Sequence, residues 1–543
     1  MSKTDRLIQW LSGLLILAAP LITAHNDLSS TISGDEYRAV AASDAVSFHP
    51  YLTGDASSHD YQKLVYSYRL LKLDPNTLEY VPHMAESYEV AEDGLTFRFD
   101  LRRDMQWSDG EPITAYDFEW TYDRVVDPAS EYPYPGQFEF ITAYEALDDY
   151  TLQVKIGEIY APALGLISSL ITPLPRHIWE NLDWSDPEKN PEINQPTVVS
   201  GPYTLTAWER GTQVIFEANQ NYWVHGTPAI QRRLIEIIPD PDLAFEKLKR
   251  GEVDTAPVTF EQLPEARQLD HVIVYEWWPA AAVWHYIGLN MREGFPTHDI
   301  DIRHGLNYAL DKELLTQEVW QGQAKRICSI YPDVSRVYNP DVPCYDYDPN
   351  KAIELFTQAG YIFQDGRMLD EHGKQLKLKL LYGPETSQSL KSIASGVQAY
   401  LADIGITVEI QALEWAAYLE ALDAEAPEWD MFLGGWRTPL EPHFMGSIWA
   451  EENIPDLNPV AYIDQRIEAL FKEAGKTYEP ELRKQKYQEI QQIIAAASPY
   501  IFIAYRSEVS VQNNRIQGIE PTMLGIDWNQ EDWYIVDQES TNK

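Results

Sequence analysis

The chain has 543 residues, more than one ordinary hydrophobic core accommodates, so two or three domains are expected. A hydrophobic content of 44%, with 17 Trp and 33 Tyr, excludes a disordered protein. The 84 Asp plus Glu against 42 Lys plus Arg leave a formal charge of -42, which a nucleic-acid duplex or an anionic membrane surface repels, so no nucleic-acid partner is expected.

The N-terminus reads "MSKTDRLIQWLSGLLILAAPLITAHN". Lys3 and Arg6 precede an apolar stretch, and small residues precede His25, which predicts a signal peptide over residues 1–24 cleaved near Ala24. The alternative is an uncleaved anchor, for which residues 7–24 are only marginally long and Gln9 and Pro20 unfavourable. No cysteine stands near the cleavage point, so no lipid anchor is expected and the mature chain is read as exported and periplasmic.

Further along, "LTFRFDLR" alternates at Leu95, Phe97, Phe99 and Leu101, as a half-buried strand does. In "MQWSDGEPITAYDFEW", Asp109-Gly110 supplies a tight turn, and Thr114 with Asp117 forms a variant capping box opening the helix "AYDFEWTYDRVV". Asp117 and Glu119 fall where the helix dipole favours negative charge, so these acids are structural rather than catalytic. A Pro-rich break at 173–196 precedes the strand "TQVIFEAN". Cys328 and Cys344 are expected to bridge in an oxidising compartment, worth about 3 kcal/mol, although spacing alone leaves two buried thiols open. "DPNKAIELFTQAGY" predicts a helix capped by Asp348, with Pro349 in its first turn and a stop at Gly360. "LKLKLLYG" reads as a strand, and "IDQRIEALFKEAGK" and "ELRKQKYQEIQQIIAAA" read as helices. The alternation of both periods predicts an α/β protein.

Catalytic signatures are missing: there is no H-E-x-x-H, G-x-S-x-G, G-x-G-x-x-G or C-x-x-C. "AGKT" lacks the glycine a phosphate loop needs, and "DYDPNK" has Lys351 where a calcium loop needs glycine. No two histidines stand at metal-ligand spacing, so no metal and no cofactor are expected. What stands out is aromatic: "YEWWPAAAVWHYIGLN" and "MFLGGWRTPLEPHFMGSIW" set tryptophans beside chain-bending Gly and Pro, which suits a ligand cleft.

Several segments occur in a specific order: "VPHMAESYEVAEDGLTFRFDLRRDMQWSDGEPITAYDFEWTYDRVVDP", "SGPYTLTAWERGTQVIFEANQNYW", "LKRGEVDTA", "IGLNMREGFPTHDIDIRHGLNYALDKELL", "YDYDPNKAIELFTQAGY", "IGITVEIQALEWAAYLEAL" and, after "WDMFLGGW", "IQGIEPTMLGIDWNQEDWYI". In that order they resemble the extracytoplasmic peptide-binding proteins of ABC importers, solute-binding family 5, which also serves nickel and opines. The resemblance implies a two-lobed, hinged, type II periplasmic-binding-protein-like fold with an extra N-terminal subdomain. Lobe I would combine residues 25–67, 196–279 and 506–543; the subdomain would cover 68–195 and lobe II 280–505. "HYIGLN" and "YIFIAY" would be the hinge crossings. The implied function is not enzymatic: a monomer binds an oligopeptide between its lobes and delivers it to the permease.

Carried over position by position, the resemblance implies that Asp44 and Ala45 lie on a strand pairing with peptide backbone. It makes Tyr134 a cleft tyrosine, Trp415 a pocket tryptophan, and Gly435 and Trp436 part of the opposing strand. Thr438 and Pro439 stand where one branch has its ammonium-binding acid, which leaves Glu441 as the counter-ion. The basic residues that hold a peptide carboxylate in one branch are replaced by Leu422 and Leu433, with Arg437 the nearest base. The alternatives are an oligosaccharide binder, stacking sugars on Trp277, Trp278, Trp415 and Trp436, and a secreted hydrolase.

Overall fold

Strict alternation does its work at Thr96–Leu101: Phe97 and Phe99 are fully buried while Arg98 points outward. This strand sits in an antiparallel four-stranded sheet in the order Ala85–Val90, Thr96–Leu101, Thr151–Ile156, Ile141–Asp148. The computed structural model describes residues 36–67, 69–224 and 228–536, so the expected signal peptide over 1–24 lies outside the described residues. Among the described residues no helix is long and apolar enough to cross a membrane.

The corner after that strand is built as its residues suggest. The Thr114 backbone N–H donates to Asp117 Oδ2 at 2.8 Å, and the Arg176 N–H donates to the other carboxylate oxygen at 3.2 Å. Burial pushes the Asp117 carboxyl up, and these bonds oppose the shift. The helix runs Ala115–Val126.

A second sheet orders Glu36–Ala41, Arg232–Ile237, Gln213–Ala218 and Tyr203–Glu209, the first pair parallel and the others antiparallel. Its buried Tyr203, Val214 and Phe216 belong to the same apolar cluster as Phe97 and Phe99, so the two sheets share one continuous core. Beside them Val272–Trp277 pairs antiparallel with Glu508–Asn513.

The third sheet has six strands in the order Ala324–Arg326, Tyr500–Arg506, Val283–Leu289, Met431–Arg437, Lys377–Tyr382, Thr407–Ala412. Tyr500–Arg506 is apolar almost throughout because both faces are covered. Ile501, Ile503 and Ala504 enter one cluster, and Tyr500, Phe502 and Tyr505 the other. Three helices predicted from sequence form here, at Pro349–Gln358, Gln465–Gly475 and Pro480–Ala497. Asp348 accepts from the Lys351 N–H at 2.9 Å, and Gly360 takes φ +93° just beyond the end. Cys328 and Cys344 form a disulfide with Cα atoms 5.2 Å apart, and the loop it closes is tied to the last helix by Gln491, whose amide donates to the Val337 carbonyl at 2.7 Å.

The chain passes between the halves beside its own return. Register runs from Trp277↔Glu508 to Trp284↔Tyr505, so the crossings are residues 278–282 and Ser507. The strands expected as crossings, in "HYIGLN" and "YIFIAY", instead lie at the centre of the six-stranded sheet, where both faces bury them. Away from this hinge, the Tyr478 hydroxyl donates to the Gly94 carbonyl at 2.7 Å, the Ala161 N–H to the Gly475 carbonyl at 2.6 Å, and Lys476 pairs with Glu158 at 2.7 Å. The two halves therefore touch at a second place besides the crossings.

Candidate ligand-binding cleft

The strand Met431–Arg437 changes character midway: Met431, Phe432 and Leu433 are core, and then come Gly434 and Gly435. It pairs along its whole length with Val283–Leu289, from Arg437↔Val283 to Met431↔Leu289. On its other side, pairing with Lys377–Tyr382 stops after Met431 and Phe432. Among the described residues, Leu433–Arg437 therefore presents an open sheet edge. A β-carbon at Gly434 would lie 2.6 Å from the Tyr286 ring, so only glycine fits this approach. Beside the edge the helix Trp415–Leu422 sets the Tyr418 hydroxyl on the Leu433 carbonyl at 2.7 Å, and Trp415 stacks on Tyr418 at 5.6 Å.

Beyond the strand, the turn of Pro439, Leu440 and Glu441 walls a cavity of about 250 Å³, faced from the other half by Arg69, Tyr80 and Leu166. A second cavity of about 360 Å³ adjoins it, since both are lined by Arg69, Leu73 and Leu440. Lys63, Lys72, Asp527 and Glu531 all line this second space. Burial pushes both the Asp527 and the Glu531 carboxyl up, opposed at Asp527 chiefly by the Arg233 guanidinium. The arrangement suits a ligand carrying both signs of charge and offers a backbone edge beside the cavities.

Residues 79–454 match the bacterial extracellular solute-binding proteins, family 5, over the region described as its middle part. The chain belongs to this family. It is 26% identical over 557 residues to the oligopeptide-binding protein AppA of Bacillus subtilis (strain 168), covering 98% of this chain and 100% of that protein. Identity to the dipeptide-binding protein of Escherichia coli (strain K12) is 24% over 502 residues, covering 88% and 90%. The ABC transporter substrate-binding protein CtaP of Listeria monocytogenes superposes with a TM-score of 0.81 at 22% identity, covering 92% of this chain and 99% of that one. The fold is the two-lobed one of these binding proteins, and the family is one of extracellular solute binders rather than of enzymes.

In this solute-binding protein the residues singled out from sequence are only partly brought together. Gly435 and Trp436 lie on the open edge, with Trp415 beside it and 49% exposed. Tyr134 stands apart from the two cavities, its hydroxyl 2.5 Å from where a β-carbon of Gly54 would be. Asp44 and Ala45 do not form a strand for ligand backbone, because Glu36–Ala41 has already ended. The Asp44 carboxylate is instead satisfied by the Trp208 indole N–H at 2.9 Å, the Gly211 N–H at 2.7 Å and the Ala45 N–H at 2.8 Å, and Ala45 is buried. Glu441 lines the first cavity, but it is not the free counter-ion expected: Arg483 grips both carboxylate oxygens, at 2.5 and 3.2 Å, and the His443 N–H caps it at 2.9 Å. Sequence reasoning missed Tyr80, which lines the first cavity, and Asp527 and Glu531, neighbours on the short helix Asp527–Asp532, which line the second; only the fold brings these distant segments to the cleft. Among the described residues no group of three or more His, Cys, Asp or Glu is placed to hold a metal ion.

Proposed function

We propose that this solute-binding protein binds oligopeptides between its two lobes and presents them to an ABC permease. In this reading lobe I comprises residues 25–67, 196–279 and 506–543, the extra subdomain residues 68–195 and lobe II residues 280–505. The observation that carries the reading is the open edge Leu433–Arg437 beside the cleft. An extended peptide is the ligand that satisfies such an edge through its backbone alone, leaving its side chains to the cavities. Asp527, Glu531 and Lys72, which line the second cavity, supply charge of both signs for the peptide's own ionic groups. AppA of Bacillus subtilis, named as oligopeptide-binding and solved with a nonapeptide, supports this ligand class.

The oligosaccharide alternative is disfavoured by the tryptophans it relies on. Trp277 is only 9% exposed, and the Lys325 ammonium lies 4.2 Å over the Trp278 ring, so two of its four platforms are covered. The test is native mass spectrometry of the protein purified without denaturation, followed by calorimetric titration with the released species and its backbone N-methylated analogues. Peptide masses and an affinity loss of roughly tenfold per blocked backbone bond are expected. Hexose-spaced masses, or indifference to N-methylation, would overturn the reading.

A further inference from the structure

The two cysteines of the disulfide do not share one environment. Cys344 is exposed, whereas Cys328 is only partly so. Away from the ligand cleft, a cavity of about 10 Å³, room for one water-sized group, is lined by both cysteines together with Lys312 and Arg326. Arg326 spends its outer nitrogens on the two residues after Cys344, donating to the Tyr345 carbonyl at 2.6 Å and to Asp346 at 2.7 Å, while its buried Nε has no acceptor among the described residues. Lys312 is buried at the start of the helix Lys312–Trp320, where its ammonium donates to the Asn307 carbonyl at 2.5 Å. Burial, and after it the Arg326 charge, hold its pKa down at about 7. The acids that act on Lys312, Asp346 and Asp311, are not in the lining: Asp346 pairs with Arg326, and Asp311 caps the helix by accepting from the Leu314 N–H at 2.9 Å. The cavity beside the sulfurs therefore offers positive charge and no carboxylate.

The loop that the bridge closes is a buttress. Its Tyr331 is fully buried and donates to the Pro442 carbonyl at 2.7 Å, directly behind Glu441 in the wall of the first cavity. Its Asp333 accepts from the Tyr505 hydroxyl and pairs with Lys325 at 3.3 Å, two residues before the Ser507 crossing. The remaining anchor is Gln491, which accepts from the Ser329 hydroxyl at 3.1 Å and from the Asn339 N–H at 3.2 Å. One covalent bond thus closes the loop that supports both a cavity wall and the approach to the hinge.

We infer that the Cys328–Cys344 bridge is a thiol-exchange site: a low-molecular-weight thiolate attacks the exposed Cys344 sulfur, and Cys328 leaves as a thiolate into the cavity of Lys312 and Arg326. Exchange runs faster the better the departing thiolate is stabilised, and adjacent cations supply that stabilisation. Lys312, held near 7, is also a stronger acid than an ordinary thiol at about 8.5, so its proton passes to the Cys328 sulfur and is replaced from water. The first step forms a bond between the reagent sulfur and Cys344 and breaks the one to Cys328. A second thiolate then removes the reagent as its symmetrical disulfide and releases Cys344, so two small thiols are oxidised and the bridge is reduced to two thiols. Opening frees the loop, and with it the support of Pro442. The inference holds whatever ligand the cleft takes.

The test treats the folded, oxidised full chain with 2-mercaptoethanol at neutral pH, blocks new thiols with N-ethylmaleimide and maps both labels by mass spectrometry. The mercaptoethanol adduct is expected on Cys344 and the maleimide on Cys328, by roughly tenfold or more over the reverse. The reverse order, equal labelling, or no reaction until the chain is unfolded in urea would overturn the inference. Lys312→Met and Arg326→Gln should each slow the reaction of the folded protein by about tenfold and leave the rate in urea unchanged. A variant that merely loosened the fold would bare the sulfurs and react faster, so the direction separates the site from the scaffold, and an unchanged or faster rate counts against it. Hydrogen exchange then reads the buttress. In the reduced wild type, amides within 329–343 and those of Leu440, Glu441 and His443 should exchange faster, whereas acceleration confined to the loop would refute its support of the cavity wall.

Discussion

Replacing Arg483 by Met should destabilise the protein and at the same time create a charge in the cleft. Arg483 and Glu441 are 15% and 14% exposed in their side chains, so their pairing is largely withdrawn from solvent. Removing one partner of a buried pair costs roughly 3–5 kcal/mol, because the survivor remains desolvated. The residual exposure argues for the lower end, about 3 kcal/mol. With an unfolding entropy of about 2.1 cal/mol/K per residue, a chain of this size gains roughly 1 kcal/mol/K, so the melting temperature should fall by only about 3 °C. Denaturant titration, which reads the energy directly, is therefore the better assay. Arg483→Met combined with Glu441→Gln should recover most of the loss, since the uncompensated charge is gone. The single variant should also bind peptides with a free ammonium more tightly, because Glu441 then faces the cavity unneutralised. A double variant no more stable than Arg483→Met would show that the guanidinium matters for its bonds to Tyr487 and the Ala474 carbonyl, and would refute the charge argument.

At the open edge, Gly434→Val drives a side chain into Tyr286 and should cost about 1–3 kcal/mol by overpacking, with peptide affinity lost as the strand is displaced; chemical denaturation and calorimetry report both. Tyr478→Phe with Lys476→Met removes two of the contacts that join the two halves away from the crossings. Small-angle scattering of the ligand-free variant should show a larger radius of gyration than the wild type, and an unchanged curve would deny these contacts a part in closure. His49 is fully buried, and burial lowers its pKa from 6.5 to about 3, so between those values only the unfolded chain binds the proton. Its contribution is thus intact above pH 6.5 and declines on acidification toward pH 3, at up to about 1.4 kcal/mol per pH unit, and His49→Leu should flatten that part of a stability-versus-pH curve. Cys328→Ser with Cys344→Ser should lower stability by about 3 kcal/mol in urea titration, matching reduction of the wild-type bridge.

Local rules carried the sequence reading where contacts are local. The strand Thr96–Leu101, the Thr114–Asp117 cap and the helix behind Asp348 each depend on residues within a few positions of one another. The motif order carried the two-lobed fold. The candidate site was less legible because its chemistry is decided by distant partners. Nothing near Glu441 announces Arg483, 42 positions later, and nothing near Asp44 announces Trp208, 164 positions away. An acid promised to a ligand and an acid promised to a distant side chain look alike in sequence. The open edge was hidden for a related reason: it arises because Lys377–Tyr382 stops pairing after Phe432, a property of two strands together.

Residues 512–515, late in the chain, tie down the sheet that holds Glu36–Ala41. Arg515 grips the fully buried Asp254 carboxylate with two bonds of 2.7 Å and donates to the Glu36 carbonyl at 2.6 Å, while Tyr37 donates to Gln512 at 3.0 Å. The earliest described strand is thus sealed by contacts 479 positions away. For a chain made from its N-terminus, the sheet of Glu36–Ala41 lacks these contacts until residues 512–515 arrive. A polypeptide cut short after Arg506 keeps Asp254 buried without its cation, and pays for it in stability. The folded state in this sense favours chains made to their far end, and copies lacking Arg515 are expected to be the readier substrates for proteolysis.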